Sequence, residues 1–470
     1  MQQLLTHLFF GIYSLTILGV ILVVITDNRN PLKSVPWIVV LLLAPGVGLF
    51  FYFFFGQNLS KRRILSRRMR RRLATQLADD AGSGPGVPEA HRPLARLLVN
   101  TLHAVPLYGT RITAYTDGRS KMEALLGEIA RARRHIHVQY YIFSDDRTGR
   151  TLRDALIAKA RQGVVVRVLY DDVGCHHVKK AFFEEMRREG IEVRAFLHVK
   201  FPLFTSKINY RNHRKIVVID GRVGFLGGMN IADRYLRGTS WGTWRDTHFR
   251  LEGGGTAGLQ ASFLSDWTAT TRQRPADDDL FPSPERFGDN AMQLLAGGPF
   301  GKWRALLLAE SFAIARARRR VWIQTPYYLP SEVLNSALQE AALAGIDVRL
   351  MLPERSDARL VELASHSFLD DMLKAGVRIE FYRPGFLHAK LLLVDDDLAV
   401  IGSANMDFRS FEHNFEINAF VYDRDFTARM AELFEQDAAH CRTITPGEWF
   451  HRPRALRLAE SFMRLFAPLM

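Results

Sequence analysis

His213-Arg214-Lys215-Ile216-Val217-Val218-Ile219-Asp220 has a counterpart later in the chain, His388-Ala389-Lys390-Leu391-Leu392-Leu393-Val394-Asp395. Both read H-x-K-x4-D. The same distance beyond each Asp stand Gly227-Gly228-Met229-Asn230 and Gly402-Ser403-Ala404-Asn405. A bare H-x-K-x4-D arises by chance in about one chain in twenty of this size; a second copy with Gly and Asn at matching offsets removes coincidence. The aliphatic runs 216–219 and 391–394 predict strands buried on both faces. His and Lys, two apart at the start of such a strand, share a face. The Asp enters a turn, Asp220-Gly221 or Asp395-Asp396-Asp397. It lies more than about 20 Å along an extended strand from its His, which favours a turn or ion-pair role over direct partnership.

The duplication extends outward. Ile136-His137-Val138-Gln139-Tyr140-Tyr141 matches the run from Val321 to Tyr328, and Gly163 with its following strand matches Gly345 with its own. Gly190-Ile191-Glu192-Val193 matches Gly376-Val377-Arg378-Ile379. Helix, closing Gly, then aliphatic strand is the rhythm of an α/β layer. The first copy carries an aromatic and basic insertion around 198–212 (Phe201, Phe204, Lys207, Tyr210, Arg211) that would sit beside the site. Two sets of His, Lys and Asn suggest one active site built from two halves.

These motifs resemble the phospholipase D superfamily, over about residues 100 to 440, and the N-terminal region is similar to that of bacterial cardiolipin synthases. The resemblance implies an α/β fold of two tandem phospholipase D-like lobes with pseudo-two-fold symmetry, mixed sheets flanked by helices, preceded by two N-terminal transmembrane helices. The expected divisions are a membrane anchor (1–60), a basic juxtamembrane segment and linker (61–95), a first lobe (96–272), an inter-lobe linker (273–290), a second lobe (291–440) and a tail helix (441–470).

Residues 4–25 form an uncharged apolar stretch long enough to span a bilayer. A second stretch, 36–56, contains Pro45, Gly46 and Gly48, which membrane helices tolerate better than soluble ones. Eight basic residues between Lys61 and Arg72 follow, and the positive-inside rule puts the catalytic region in the cytoplasm. The expected location is the bacterial inner (cytoplasmic) membrane, multi-pass. The net charge of +14 exceeds that run, so the catalytic part is basic too and suits anionic phosphodiesters. The spans favour lipid over nucleic acid. Cys175 and Cys441 are too few for a disulfide framework. The adjacent His176 and His177 suit one metal poorly, and the acidic triplet Asp277-Asp278-Asp279 reads as a solvated loop. The C-terminal run puts Leu458, Phe462, Leu465 and Phe466 at helical spacing among arginines: a membrane-surface helix, or one docked on the body.

The resemblance implies catalytic His213, Lys215, Asp220, His388, Lys390 and Asp395. It assigns the nucleophile to His213 and the general acid/base to His388, with a covalent phosphatidyl-histidine between two transfer steps. Lys215, Asn230, Lys390 and Asn405 can surround the phosphate oxygens, so no metal or cofactor is called for. Each imidazole needs an acceptor on its other nitrogen; Asp246 and Glu416 are the candidates. The implied reaction joins two phosphatidylglycerol molecules into cardiolipin and glycerol, with phosphatidylglycerol and other anionic phospholipids as partners. The alternatives are a phospholipase D hydrolase, a phosphatidylserine synthase-like transferase, a nuclease and a catalytically inert scaffold. Oligomeric state is not legible.

Overall fold

The computed structural model describes residues 2–26, 31–52, 86–198, 209–275, 279–283, 285–300 and 303–470. The basic run 61–72, most of the first linker and insertion residues Phe201, Phe204 and Lys207 lie outside them, as do Asp277 and Asp278. The chain divides into an N-terminal unit and a larger body.

In the N-terminal unit, helix Gln2–Thr26 is long and apolar enough to cross a membrane. The second apolar stretch differs from expectation. It breaks at Ala44 into helices Pro31–Leu43 and Pro45–Phe51, each too short to span about 30 Å of hydrocarbon. Pro45 starts the new helix, where its missing N–H costs nothing. The short helix folds back on its predecessor: a Cβ on Gly48 would lie 3.0 Å from the Val40 carbonyl oxygen. Tyr52 thereby meets Trp37 edge to face, ring centroids 5.6 Å apart.

The body holds two mixed sheets of one design. The first runs Arg111–Tyr115, His248–Glu252, Val223–Gly227, Ile216–Ile219, His135–Tyr140, Val165–Asp171, Glu192–Phe196. The second runs Ala291–Gly297, Glu416–Tyr422, Leu398–Gly402, Leu391–Val394, Arg320–Gln324, Asp347–Pro353, Arg378–Tyr382 in the corresponding order. In each, the last three strands are parallel and the motif strand is antiparallel to both neighbours. The second sheet gains an edge strand at each side, Leu107–Tyr108 and Cys441–Thr443. The helix Arg92–Leu102 likewise packs Leu94 and Leu98 into the second lobe's outer core. The first lobe's sheet therefore starts at Arg111, later than the linker composition suggested.

The motif strands are buried on both faces. Ile216 and Val218 join Leu391 and Leu393 in a core shared by the lobes. Val217 and Ile219 turn to the first lobe's outer core, Leu392 and Val394 to the second's. Strand alternation thus fastens each lobe internally and to its twin at once.

Asp220 and Asp395 cap these strands with φ of 52° and 54°, a left-handed turn that Asp tolerates. Asp220 accepts the backbone N–H groups of Arg133, Arg134 and His135 at 2.8–2.9 Å. Asp395 accepts those of Arg318, Arg319 and Arg320 at 2.8–3.3 Å. Both carboxylates staple a hairpin to the start of the neighbouring strand. Both stand at the strand's far end and satisfy backbone donors, which supports the turn role over a direct catalytic one.

Candidate active site

The two histidines precede the assigned strands rather than sitting within them, which corrects the expectation. The chain before Ile216 and Leu391 leaves its own sheet and pairs with the opposite lobe. Asn212 bridges Phe415 in parallel, and His213 N–H donates to the Phe415 carbonyl at 2.9 Å. In mirror fashion, Gly385–Leu387 pairs with Thr243–Arg245, and His388 N–H donates to the Arg245 carbonyl at 2.6 Å. Each motif is thus threaded onto the partner lobe's acidic segment.

That threading sets the side chains. His213 Nδ1 stands 2.9 and 3.1 Å from the Glu416 carboxylate oxygens, and His388 Nδ1 stands 2.6 Å from Asp246 Oδ2. The pairing is crosswise, and both carboxylates are 0% exposed. With Nδ1–H donated to a carboxylate, each ring keeps Nε2 for chemistry. Glu416 also accepts Ser403 Oγ–H at 2.6 Å and Ser410 Oγ–H at 3.2 Å. Asp246 accepts Thr247 N–H at 2.7 Å. The Gly228/Ser403 difference has a steric cause. A Cβ on Gly228 would sit 2.1 Å from Asp246 Oδ1, whereas Ser403 gives Glu416 a hydroxyl.

Lys215 Nζ donates to the His213 carbonyl at 2.6 Å, and Lys390 to that of His388. Burial pushes the Lys215 ammonium down to about 7, with Lys390 adding to the depression. Burial likewise takes Lys390 down to about 8. His388 falls to about 3 through burial and Lys390, against the pull of Asp246. His213 is lowered by burial, opposed by Glu416 and helped by Lys215 and Lys390. Burial works against the Glu416 charge, yet His213 and Lys215 hold its carboxyl below the ordinary range. The field of each lysine thus reaches the other lobe's histidine, which places both half-sites in one electrostatic environment. A bound phosphodiester anion would lift these depressed values.

Asn230 Oδ1 accepts Ile142 N–H at 3.1 Å, and its amide donates to Tyr235 Oη at 2.6 Å. Asn405 donates to Asp407 at 3.0 Å. An amide carries two N–H bonds, so each asparagine keeps one beyond these contacts. Aromatic rings wall the site: Tyr141 lies 5.0 Å from His213, and Trp244, Tyr235 and Tyr327 lie 5.4, 6.2 and 6.4 Å from His388, ring centre to ring centre.

One brace escaped sequence reading. Arg214 Nη1 donates to Asp266 at 2.6 Å, and Gln139 joins it there at 2.7 Å. In the other half, Arg245 Nε donates to Asp437 at 2.9 Å, joined by Gln324 at 2.8 Å. The arginine comes from the H-x-K segment in one half and from the acidic segment in the other. The only sequence signal was the pair of matching glutamines, Gln139 and Gln324.

Residues 125–240 and 312–438 each match the family model described as "Cardiolipin synthase, PLD-like domain". A cardiolipin synthase 2 of Bacillus cereus is 42% identical over 457 residues, 95% of this chain and 89% of the relative. The chain belongs to the cardiolipin synthase family. The major cardiolipin synthase ClsA of Bacillus subtilis is 37% identical, covering 100% of this chain and 99% of its own. Residues 14–57 match the model described as "Phospholipase_D-nuclease N-terminal". The body's fold recurs in the crystal structure of phosphatidylserine synthase from Haemophilus influenzae, with a TM-score of 0.63 at 14% identity, over 81% of this chain and 100% of that one. In this cardiolipin synthase family member the double motif match falls on the two lobes described above.

Proposed function

We propose that the chain is a cardiolipin synthase, transferring a phosphatidyl group between two phosphatidylglycerol molecules. The observation that carries the chemistry is the crosswise pairing of two imidazoles with buried carboxylates, each leaving one Nε2 for a shared phosphorus. His213 Nε2 attacks the phosphorus of the first lipid. The P–O bond to its head-group glycerol breaks, and that oxygen takes a proton from His388. His388, now neutral, removes a proton from a head-group hydroxyl of the second lipid. This oxygen attacks phosphorus, the P–N bond to His213 breaks, and cardiolipin leaves. Lys215, Lys390 and the free amide hydrogens of Asn230 and Asn405 stabilise the developing oxyanion charge.

The neutral resting state of both histidines suits the nucleophile directly. The acid acquires its proton as the lipid anion enters and raises the depressed values. Exchange of one phosphodiester for another is close to thermoneutral, so water must be kept out while the intermediate lives. The ring wall of Tyr141, Tyr327 and Trp244 supports that exclusion. We place the catalytic body on the cytoplasmic side of a bacterial membrane, on the strength of the basic run 61–72; a second crossing by residues 31–52 forms no part of this reading.

Purified full-length protein in detergent, given labelled phosphatidylglycerol, tests the assignment. Cardiolipin and glycerol in equal amounts are expected. Phosphatidic acid as the main product would make it a hydrolase, and no lipid turnover would reject the reading.

A further inference from the structure

The final helix, Arg454–Arg464, presents its polar side to the body. Glu460 is 2% exposed and accepts Arg452 Nη1–H at 2.6 Å, with His366 Nδ1 at 3.5 Å. Arg457 and Arg464 reach Asp370 and Asp371 on the helix Arg359–Lys374 at 3.3 and 3.7 Å. Just before it, Trp449 is buried, donates Nε1–H to Asp370 at 2.7 Å and stacks under the Arg452 guanidinium.

The apolar side faces outward. Leu458, Phe462, Leu465, Phe466 and Leu469 are 72, 58, 73, 40 and 55% exposed. Their spacing makes one continuous stripe along the helix and the turn after it. A helix on a water-facing body buries that stripe; contiguous apolar surface left outside marks an interaction site.

We propose that this stripe inserts into the interfacial layer of a lipid bilayer. Four observations select a bilayer over a second protein. Exposed Arg454 opens the helix beside the stripe. A basic residue there meets anionic head groups while apolar ones enter the acyl boundary. A stripe of five side chains is far smaller than the about 20–30 residues a side of a stable protein interface. The opposite face is already fastened by ion pairs, so insertion needs no unfolding. The chain also carries a helix long and apolar enough to cross a bilayer. This contact is separate from the catalytic reading and stands or falls without it.

The test uses full-length protein in nanodiscs of phosphatidylethanolamine and phosphatidylglycerol. A nitroxide is attached at Phe462→Cys, in a Cys441→Ser background, and compared with one at Asp154→Cys on the exposed flank of the first lobe. Expected is a label at 462 accessible to oxygen and shielded from a water-soluble nickel complex, with the label at 154 showing the reverse. Equal nickel access at both positions would overturn the proposal. So would dipolar broadening between labels at 462, which would assign the stripe to a second copy. Independently, Leu458→Glu with Phe462→Glu and Leu465→Glu should slow turnover of phosphatidylglycerol in vesicles several-fold and spare short-chain lipid dissolved as monomers. Equal loss on both substrates would also contradict it.

Discussion

His213 Nδ1 lies 2.9 Å from Oε1 of Glu416, a residue of the other lobe, just as His388 Nδ1 lies 2.6 Å from Asp246 Oδ2. Each histidine takes its carboxylate partner from the other lobe, while Lys390 of its own lobe also stands 3.0 Å from His388 Nδ1. Each half therefore relies on the other for the carboxylate beside its histidine.

Glu416→Gln and Asp246→Asn should each lower kcat by about 10³-fold or more while changing KM little. An amide offers the wrong tautomer a partner and cannot stabilise the imidazolium. Steady-state kinetics in mixed micelles checks this. Loss confined to KM would assign the carboxylates to substrate binding.

Lys215 and Lys390, depressed to about 7 and 8 by burial, hold a phosphodiester only when charged. Glycerophosphoglycerol, whose own charge is constant over this range, should bind with proton uptake between about pH 7 and 9 and weaken as pH rises. Titration calorimetry in buffers of different ionisation enthalpy measures the uptake. The sign for stability is opposite. With folded values below the unfolded one of 10.5, the unfolded chain binds more protons between about pH 7 and 10. These two lysines therefore favour the ligand-free fold as pH rises through that window.

Gly228→Ser would copy the second motif into the first, yet it should inactivate the protein, because its Cβ would overlap the Asp246 carboxylate. Ser403→Gly should be milder, costing the Glu416 hydrogen bond and a severalfold fall in kcat. The two exchanges, assayed side by side, check the asymmetry. Equal effects would contradict it.

Arg214→Met strands the buried Asp266 and should destabilise the body by about 3–5 kcal/mol. Adding Asp266→Asn should recover part of the loss. Denaturant unfolding of the detergent-solubilised chain, followed by tryptophan fluorescence, reads both.

The site's inventory was legible because its chemistry is local: a His and a Lys two residues apart, an aliphatic strand and a Gly-x-x-Asn (the stretch from Gly227 to Asn230) leave a repeated mark. Its wiring was not. Whether Asp246 serves His213 or His388 depends on which lobe each segment pairs with, and strands Thr243–Arg245 and Gly385–Leu387 are too short to announce a partner. Arg214 and Arg245 were hidden because they occupy different positions of the repeat while bracing equivalent carboxylates. The hairpin at Ala44–Pro45 was missed because Pro and Gly are tolerated within membrane helices. The close approach of Gly48 to the Val40 carbonyl and the contact of Tyr52 with Trp37 show that the chain turns back. The tail left two readings open, and docking through Glu460 with an outward apolar stripe satisfies one while leaving the other as the natural use of the exposed side.

The central claim is that His213 and His388 act on one phosphorus in unlike roles. Mass spectrometry of His388→Ala, quenched after mixing with phosphatidylglycerol, tests it most directly. The account predicts a phosphatidyl group on the peptide carrying His213, and none on any peptide of His213→Ala treated alike. An adduct on His388 in the second variant, or cardiolipin formed at the normal rate by either variant, would contradict it.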